Sequence, residues 1–310
     1  MALGIEGIRV GCWTHPGGHT GCTVVLAPQG ALGAVAVRGG APGTREVPAL
    51  GPTGSVRECH AVVLSGGSAF GLATADGVSA WCEAHAIGYD TTVARVPIVG
   101  AAIVFDLREA GLARPDRDAG WAACEAATAD DPPRGRVGVG AGCTVGKTAG
   151  VEWASPGGQG WAVVRGGGVT AGGSGGTPPV TVGALIAVNA LGDVLDEEGG
   201  VLAGSRAPAD RPRYPYPAPL PEAEHTVIGC LATDARLSKP DACRAVDLAH
   251  TGIARAVDPA HTTYDGDALF LLCAQRIEAS IDLVAHLGAR AVAAAIRAAV
   301  RASAEGGSDT

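Results

Sequence analysis

Short apolar runs separated by glycine, proline and histidine fill the first forty residues: 9–14, 22–27 and 31–38. Their length and β-branched content predict strands. Residues 38–53 read as loop. Residues 61–64 are wholly apolar and predict a buried strand ending in Ser65-Gly66-Gly67. Ser68 then stands as N-cap of a predicted helix reaching about His85, with Phe70, Leu72, Ala73, Val78, Trp81 and Cys82 as its core face. Residues 96–107 are apolar, 117–128 are Ala-rich and helical in pattern, and 137–150 are studded with glycine. Strands are predicted over 161–165 and 180–195, the second turning near Gly192-Asp193. Residues 166–178 form a Gly/Thr/Ser/Pro-rich excursion. Residues 197–224 are polar with a proline-rich core, the composition of an accessible linker.

An apolar strand then opens abruptly at Thr226. Ser238-Lys239-Pro240-Asp241 predicts a helix start, with serine as N-cap, proline in the first turn and an acid at the third position. That helix should run to about Ala256. Residues 277–304 have helical apolar spacing, with Glu278, Asp282, Arg290, Arg297 and Arg301 polar, and 305–310 read as a frayed tail. Strand-rich and helix-rich segments interleave without a regular βαβ rhythm. The expected fold is a layered α+β domain with helices outside packed sheets.

Composition narrows the functional classes. A chain of 310 residues suffices for one large domain with a substantial core, and its formal net charge of −8 gives no electrostatic case for nucleic acid or an anionic membrane. The nine cysteines are odd in number and form no C-x-x-C pair. Cys12, Cys22, Cys82, Cys230 and Cys273 lie in apolar surroundings and read as small buried hydrophobes in a reducing compartment. The first ten residues lack the layout of a signal peptide, and no run approaches the ~20 apolar residues of a membrane span. A cytoplasmic protein with no cofactor and no metal is the expectation. Of 23 basic residues only Lys147 and Lys239 are lysine. A chain that otherwise uses arginine has a lysine where it needs one.

The segment His225 to Asp234 places a threonine at the first strand position after the linker. If the bond before Thr226 were cut, that residue would carry a free α-amine beside its own hydroxyl. A neighbouring amine is one of the few ways to activate so weak a nucleophile. The alternative is a plain strand-opening threonine, since strands favour β-branched residues.

Thr226-Val227-Ile228-Gly229-Cys230-Leu231-Ala232-Thr233-Asp234 resembles the leading segment of the processed chain in the DmpA/P1 peptidase family of self-cleaving N-terminal-nucleophile hydrolases. The resemblance extends to Gly21 through Leu26, Arg38 through Glu46, Leu64 through Leu72, Val96 through Val99, Val137 through Lys147, Val188 through Asp193 and His261 through Asp267. It implies a layered αββα sandwich of the DmpA/ornithine-acetyltransferase type. It also implies one autoprocessed domain, cut between His225 and Thr226 into 1–225 and 226–310, and a homo-oligomer (a tetramer of processed pairs). The implied activity is hydrolysis of small peptides or linear amide oligomers. Asp265-Gly266-Asp267 is similar to the nylon-oligomer hydrolase branch; the aminopeptidase/D-esterase and β-peptidyl aminopeptidase branches are the alternatives. An ornithine-acetyltransferase-like acyl transfer and a non-catalytic binding role stand outside that class.

The expected site is Thr226 as nucleophile, Asn189 as oxyanion donor, Lys147 beside the nucleophile, and Asp265 and Asp267 fixing the threonine. The Gly66-Gly67 turn is a further oxyanion candidate, as backbone amides at a helix N-terminus. His261 reads equally as a packed histidine. Residues 141–148 also fit a relaxed P-loop, but the segment after Lys147 is a poor helix, so nucleotide binding is not expected. Phe105 stands about where the nylon-hydrolase branch carries a tyrosine, and His225 stands in the place of asparagine or glycine.

Overall fold

The computed structural model describes residues 1–167, 178–214 and 225–305. Most of the 166–178 excursion, the later part of the linker and residues 306–310 of the predicted tail lie outside them; Glu305 ends a helix. The principal strands are β1 (Arg9–Thr14), β2 (Gly21–Val37), β3 (Glu58–Ser65), β4 (Val99–Ile103), β5 (Gly158–Gly166), β6 (Val180–Asn189), β7 (Thr226–Arg236) and β8 (Ala268–Glu278). The principal helices are α1 (Thr74–Ala84), α2 (Arg117–Glu125), α3 (Lys239–Ala249) and α4 (Ile281–Glu305). Hydrogen bonding links the strands in the order β5-β6-β7-β8-β2-β3-β4, with Thr44–Arg45 beyond β4 and β1 against β2. The β7–β8 and β3–β4 pairs are parallel, and the others are antiparallel.

This path folds back on itself as two layers, and β2 belongs to both. Its first half pairs with β1 and β3, and its last six residues pair with β8. The register shifts between Leu26 and Ala31, across Pro28-Gln29-Gly30. The two runs predicted over 22–38 are therefore one strand with a bulge, which turns the chain from one layer into the other. Side-chain parity shows the consequence. Val25 and Val35 enter a core shared with Val62, Leu64, Leu185, Ile228 and Phe270, which lies between the layers. Cys22, Val24 and Leu26 face α1 and α2. Ala34 faces α3 and α4. Two helical layers thus enclose two sheet layers, as the αββα expectation has it.

Helix α4 is long and apolar enough to cross a membrane by length and composition, but 67% of its most apolar window is buried inside the protein. It packs against β5 and β6. All nine cysteines are free; Cys12 is half-buried and the others are buried.

Local signals hold at some helix starts and fail at another. Ser238 caps α3, its Oγ accepting from Asp241 N at 3.3 Å, and Asp116 caps α2 by accepting from Ala119 N at 3.0 Å. Ser68 does not cap a helix. Gly67 and Ser68 both take positive φ (81° and 53°), and the chain makes a 3₁₀ stretch (Ser68–Ala73) before α1 begins. Phe70, expected in the core, is consequently 58% exposed, with the Arg114 guanidinium 3.9 Å above its ring.

Lys239 shows why a lysine is needed there. Its ammonium is buried and donates to Gly33 O (2.6 Å) and Val56 O (2.9 Å), tying α3 to the β2 strand and the loop before β3. We predict that Lys239→Met lowers the unfolding free energy by about 2–3 kcal/mol, since one buried and one part-buried carbonyl lose their donor. Chemical denaturation of the variant and the parent checks this.

Candidate active site

The site forms at the start of β7. Ile228, Cys230 and Ala232 face the core between the sheets, while Val227 and Leu231 face the α3/α4 layer. By that alternation Thr226 starts on the inter-sheet side. Its partner across the antiparallel ladder is Asn189, the last residue of β6, which shares the inter-sheet parity of Leu185 and Ala187. Strand register therefore sets the two side chains opposite each other, and both are buried.

On the other side β8 runs parallel to β7, and an isolated bridge joins His225 to Asp265. The turn leading into β8 lies along the His225–Thr226 bond as a result. Gly266 N donates to His225 O at 2.8 Å, and Thr226 Oγ1 donates to the same oxygen. Asp267 Oδ1 accepts from Val227 N at 2.7 Å. Its Oδ2 accepts from His261 N at 3.2 Å and is bonded to His261 Nδ1 at 2.7 Å. Asp265 Oδ2 accepts from the amide and hydroxyl of Thr262 at 2.8 and 2.6 Å. A Cβ on Gly266 would meet Thr226 Oγ1 and Ala41 O, both at 3.0 Å, so glycine keeps the space in which the hydroxyl sits.

Lys147 enters from the loop after Thr144-Val145. Its buried Nζ donates to Asn189 O (3.0 Å) and Oδ1 (2.9 Å), and Thr144 N donates to the same Oδ1 at 3.0 Å. An ammonium only donates, so these contacts fix which end of the amide is oxygen. The other end, Nδ2, donates to Phe105 O at 2.9 Å. The structure thus brings together Thr226, Asn189, Lys147, Asp265, Asp267 and His225. The amides of Gly146 and Lys147 are bonded to Gly192 O and Leu191 O.

The Gly66-Gly67 turn differs from its expected role. Gly66 N donates to Gly21 O at 2.8 Å and Gly67 N to Asp106 Oδ1 at 2.7 Å. Both amides are committed within the fold, and the element that follows is a short 3₁₀ stretch rather than an α-helix N-terminus. Phe105 lines a recess with Asp106, Arg108, Thr144 and Lys147, and brings no hydroxyl to it.

The electrostatics follow from burial and pairing. Burial, and next the charge of Asp267, push the Asp265 carboxyl up to about 6. For His261 burial opposes the charged form, but the hydrogen bond and charge of Asp267 outweigh it and raise the imidazole above its ordinary value. Its Nε2 lies 3.4 Å from His250 O, so both ring nitrogens have acceptors. Burial drives His250 down to about 4. Burial, then Lys147 and Arg108, drive His225 down to about 3. Among the described residues no three His, Cys, Asp or Glu side chains are grouped to hold a metal.

Two supporting parts were missed in the sequence. One is His261, which braces Asp267 and adopts a left-handed φ of 58° while doing so. The other is the 38–41 loop. Arg38 N and Gly39 N donate to Asp267 O (2.9 and 3.2 Å), and Ala41 N donates to Asp265 O (2.9 Å). Any Cβ on Gly39 would collide with the backbone of Asp265 and Asp267. The signal available was the Gly39-Gly40 pair, which lies in a segment that carries the family resemblance but was assigned no role at the site.

Comparison with known proteins gives a consistent picture. The model of Peptidase family S58 matches residues 3–306. An uncharacterised aminopeptidase of Mycobacterium leprae is 41% identical over 300 residues, covering 89% of this chain and 79% of that one. A 6-aminohexanoate-oligomer endohydrolase of Kocuria sp. is 30% identical over 292 residues, covering 90% and 76%. Among solved structures, the L-aminopeptidase D-Ala-esterase/amidase of Ochrobactrum anthropi, described as a variant of the Ntn hydrolase fold, superposes with a TM-score of 0.71. It is 19% identical, with 97% of this chain and 85% of that one covered.

The Asp265 carboxyl is predicted to titrate near pH 6 when followed by carbon NMR. Because its folded value is raised, it makes the fold lose stability as pH climbs from about 4 to about 6. His261→Gln removes a positive neighbour and should move that titration upward.

Proposed function

This chain belongs to peptidase family S58 and is an amide-bond hydrolase, and we propose that it works through Thr226 as an N-terminal nucleophile freed by self-cleavage at His225–Thr226. The observation that carries the reading is the surroundings of one carbonyl. His225 O receives both the Thr226 hydroxyl and the Gly266 amide. The hydroxyl sits beside the carbonyl it would attack, and Gly266 N–H is aimed where negative charge would develop.

In the first reaction Thr226 Oγ1 bonds to the His225 carbonyl carbon, the C–N bond to Thr226 breaks, and the hydroxyl proton passes to the departing nitrogen. Water opens the resulting ester. It leaves a carboxylate on His225 and a free amine on Thr226. That amine has an ordinary pKa near ~8, suited to a general base. In turnover it takes the Oγ1 proton as Oγ1 attacks a substrate amide, then passes the proton to the leaving amine; water releases the acyl group.

Lys147 disfavours protonation of the new amine and holds Asn189 by its oxygen; the amide nitrogen, one of whose hydrogens is bonded to Phe105 O, is the proposed donor to the tetrahedral oxygen. Asp267, braced by His261, holds Val227 N and so fixes the backbone on the leaving side of the scissile bond. The substrates proposed are small peptides or linear amide oligomers. The paired acids of Asp265-Gly266-Asp267 favour the oligomer-hydrolase type.

Purified protein should give two masses on a denaturing intact-mass spectrum, residues 1–225 and 226–310, whereas Thr226→Ala should give one. A single uncut chain from the parent overturns the reading. Asn189→Ala should lower kcat/KM on an aminoacyl p-nitroanilide by about 10²–10³-fold, the usual loss for one oxyanion donor.

A further inference from the structure

Among the buried polar side chains His225 is anomalous. It is 2% exposed, yet neither ring nitrogen has a hydrogen-bond partner among the described residues. Buried polar atoms are nearly always satisfied, and an unpartnered imidazole is a poor occupant of a closed space. The histidines of the neighbouring brace are placed differently. His261 has Asp267, and His250 has Ala36 O at 3.0 Å. What holds His225 is its backbone, through the Gly266 amide, the Thr226 hydroxyl and the bridge to Asp265. The charges that act on the ring are Lys147 and Arg108, both cations.

We propose that the space now filled by the His225 ring is the acyl side-chain subsite of the mature enzyme, and that it selects amides whose acyl residue carries a compact, uncharged side chain and rejects cationic ones. The inference rests on Thr226 being the nucleophile. Self-cleavage and turnover then build the same bond, from Oγ1 to an acyl carbon. In self-cleavage the acyl group is the chain ending at His225, and the nitrogen that leaves with the proton is that of Thr226. In turnover the acyl group is the substrate's, and the leaving nitrogen is the substrate amine, which departs with a proton. Water cleaves the ester in both cases.

An acyl group on Oγ1 that presents its carbonyl oxygen to the Gly266 amide, the donor that remains once Oγ1 is acylated, projects its side chain where His225 projects its ring. Once the ester is opened, no covalent bond joins His225 to Thr226, and the space is vacated when the ring leaves. The Lys147 ammonium stays, anchored on Asn189, the cross-strand partner of Thr226. The two bare nitrogens make histidine a tolerated occupant rather than a matched one, so an apolar group of similar bulk fits better.

Two measurements test this. Cutting before Thr226 is timed by intact mass for the parent, His225→Leu and His225→Arg. The unaltered mature protein is assayed with leucyl, alanyl, histidyl, lysyl and arginyl p-nitroanilides, which share one α-amine and differ only in the side chain. His225→Leu should cut at least as fast as the parent and His225→Arg at least tenfold more slowly. The leucyl probe should exceed the arginyl probe at least tenfold in kcat/KM. The probe arm uses the native chain, so a misfolded variant does not obscure the result. Arginyl turnover equal to leucyl, His225→Arg cutting as fast as His225→Leu, or a parent that cuts but hydrolyses none of the probes overturns the subsite while leaving the nucleophile in place. A parent that neither cuts nor hydrolyses any probe removes both.

Discussion

The parallel pairing of β7 with β8 is the constraint on which the site depends. Register from Ile228↔Ala268 onward continues backwards as the His225–Asp265 bridge. It carries the turn 265–267 alongside the bond before Thr226. On the opposite edge of β7 the antiparallel register with β6 delivers Asn189. A slip of one residue on either side would turn a functional side chain to the wrong face. Almost nothing else is needed to assemble the constellation, because Lys147 is held by Asn189 and His261 by Asp267.

Polar groups gathered in a dry interior must satisfy one another. Asn189 is held at both ends of its amide, Asp267 at both oxygens, and Asp265 by the two donors of Thr262. Such a network gains from low dielectric when every member is paired and loses heavily when one is not. His225, whose ring has no partner among the described residues, is also the last residue of the segment that the proposed chemistry severs.

Much of this was readable from the chain. The abrupt strand at Thr226, the Ser238 cap and the interleaving of strands with helices are local signals, and the fold follows them. Both lysines were flagged by scarcity, Lys147 by the family resemblance as well, and each ends on buried acceptors. Other features were not readable, because they depend on partners distant in sequence. Pro28-Gln29-Gly30 looks like a turn, but it bends one strand between two layers. Ser68 looks like a cap, but left-handed backbone at Gly67 and Ser68 delays the helix. His261 is only six residues from Asp267, but their 2.7 Å contact depends on the path of the turn between them and on left-handed backbone at His261, which no residue pattern announces.

The position of β7 in the sheet has a further consequence. It lies between β6, from the upstream segment, and β8, from the downstream one, and β8 pairs in turn with β2 near the beginning of the chain. Severing the peptide at Thr226 would therefore leave each piece threaded through the other's hydrogen-bond ladder. The uncut polypeptide finds its structure as a unimolecular process, but the severed pair, once unfolded, would have to find each other again at a rate set by concentration. Maturation of this kind converts a reversible folder into an assembly made once.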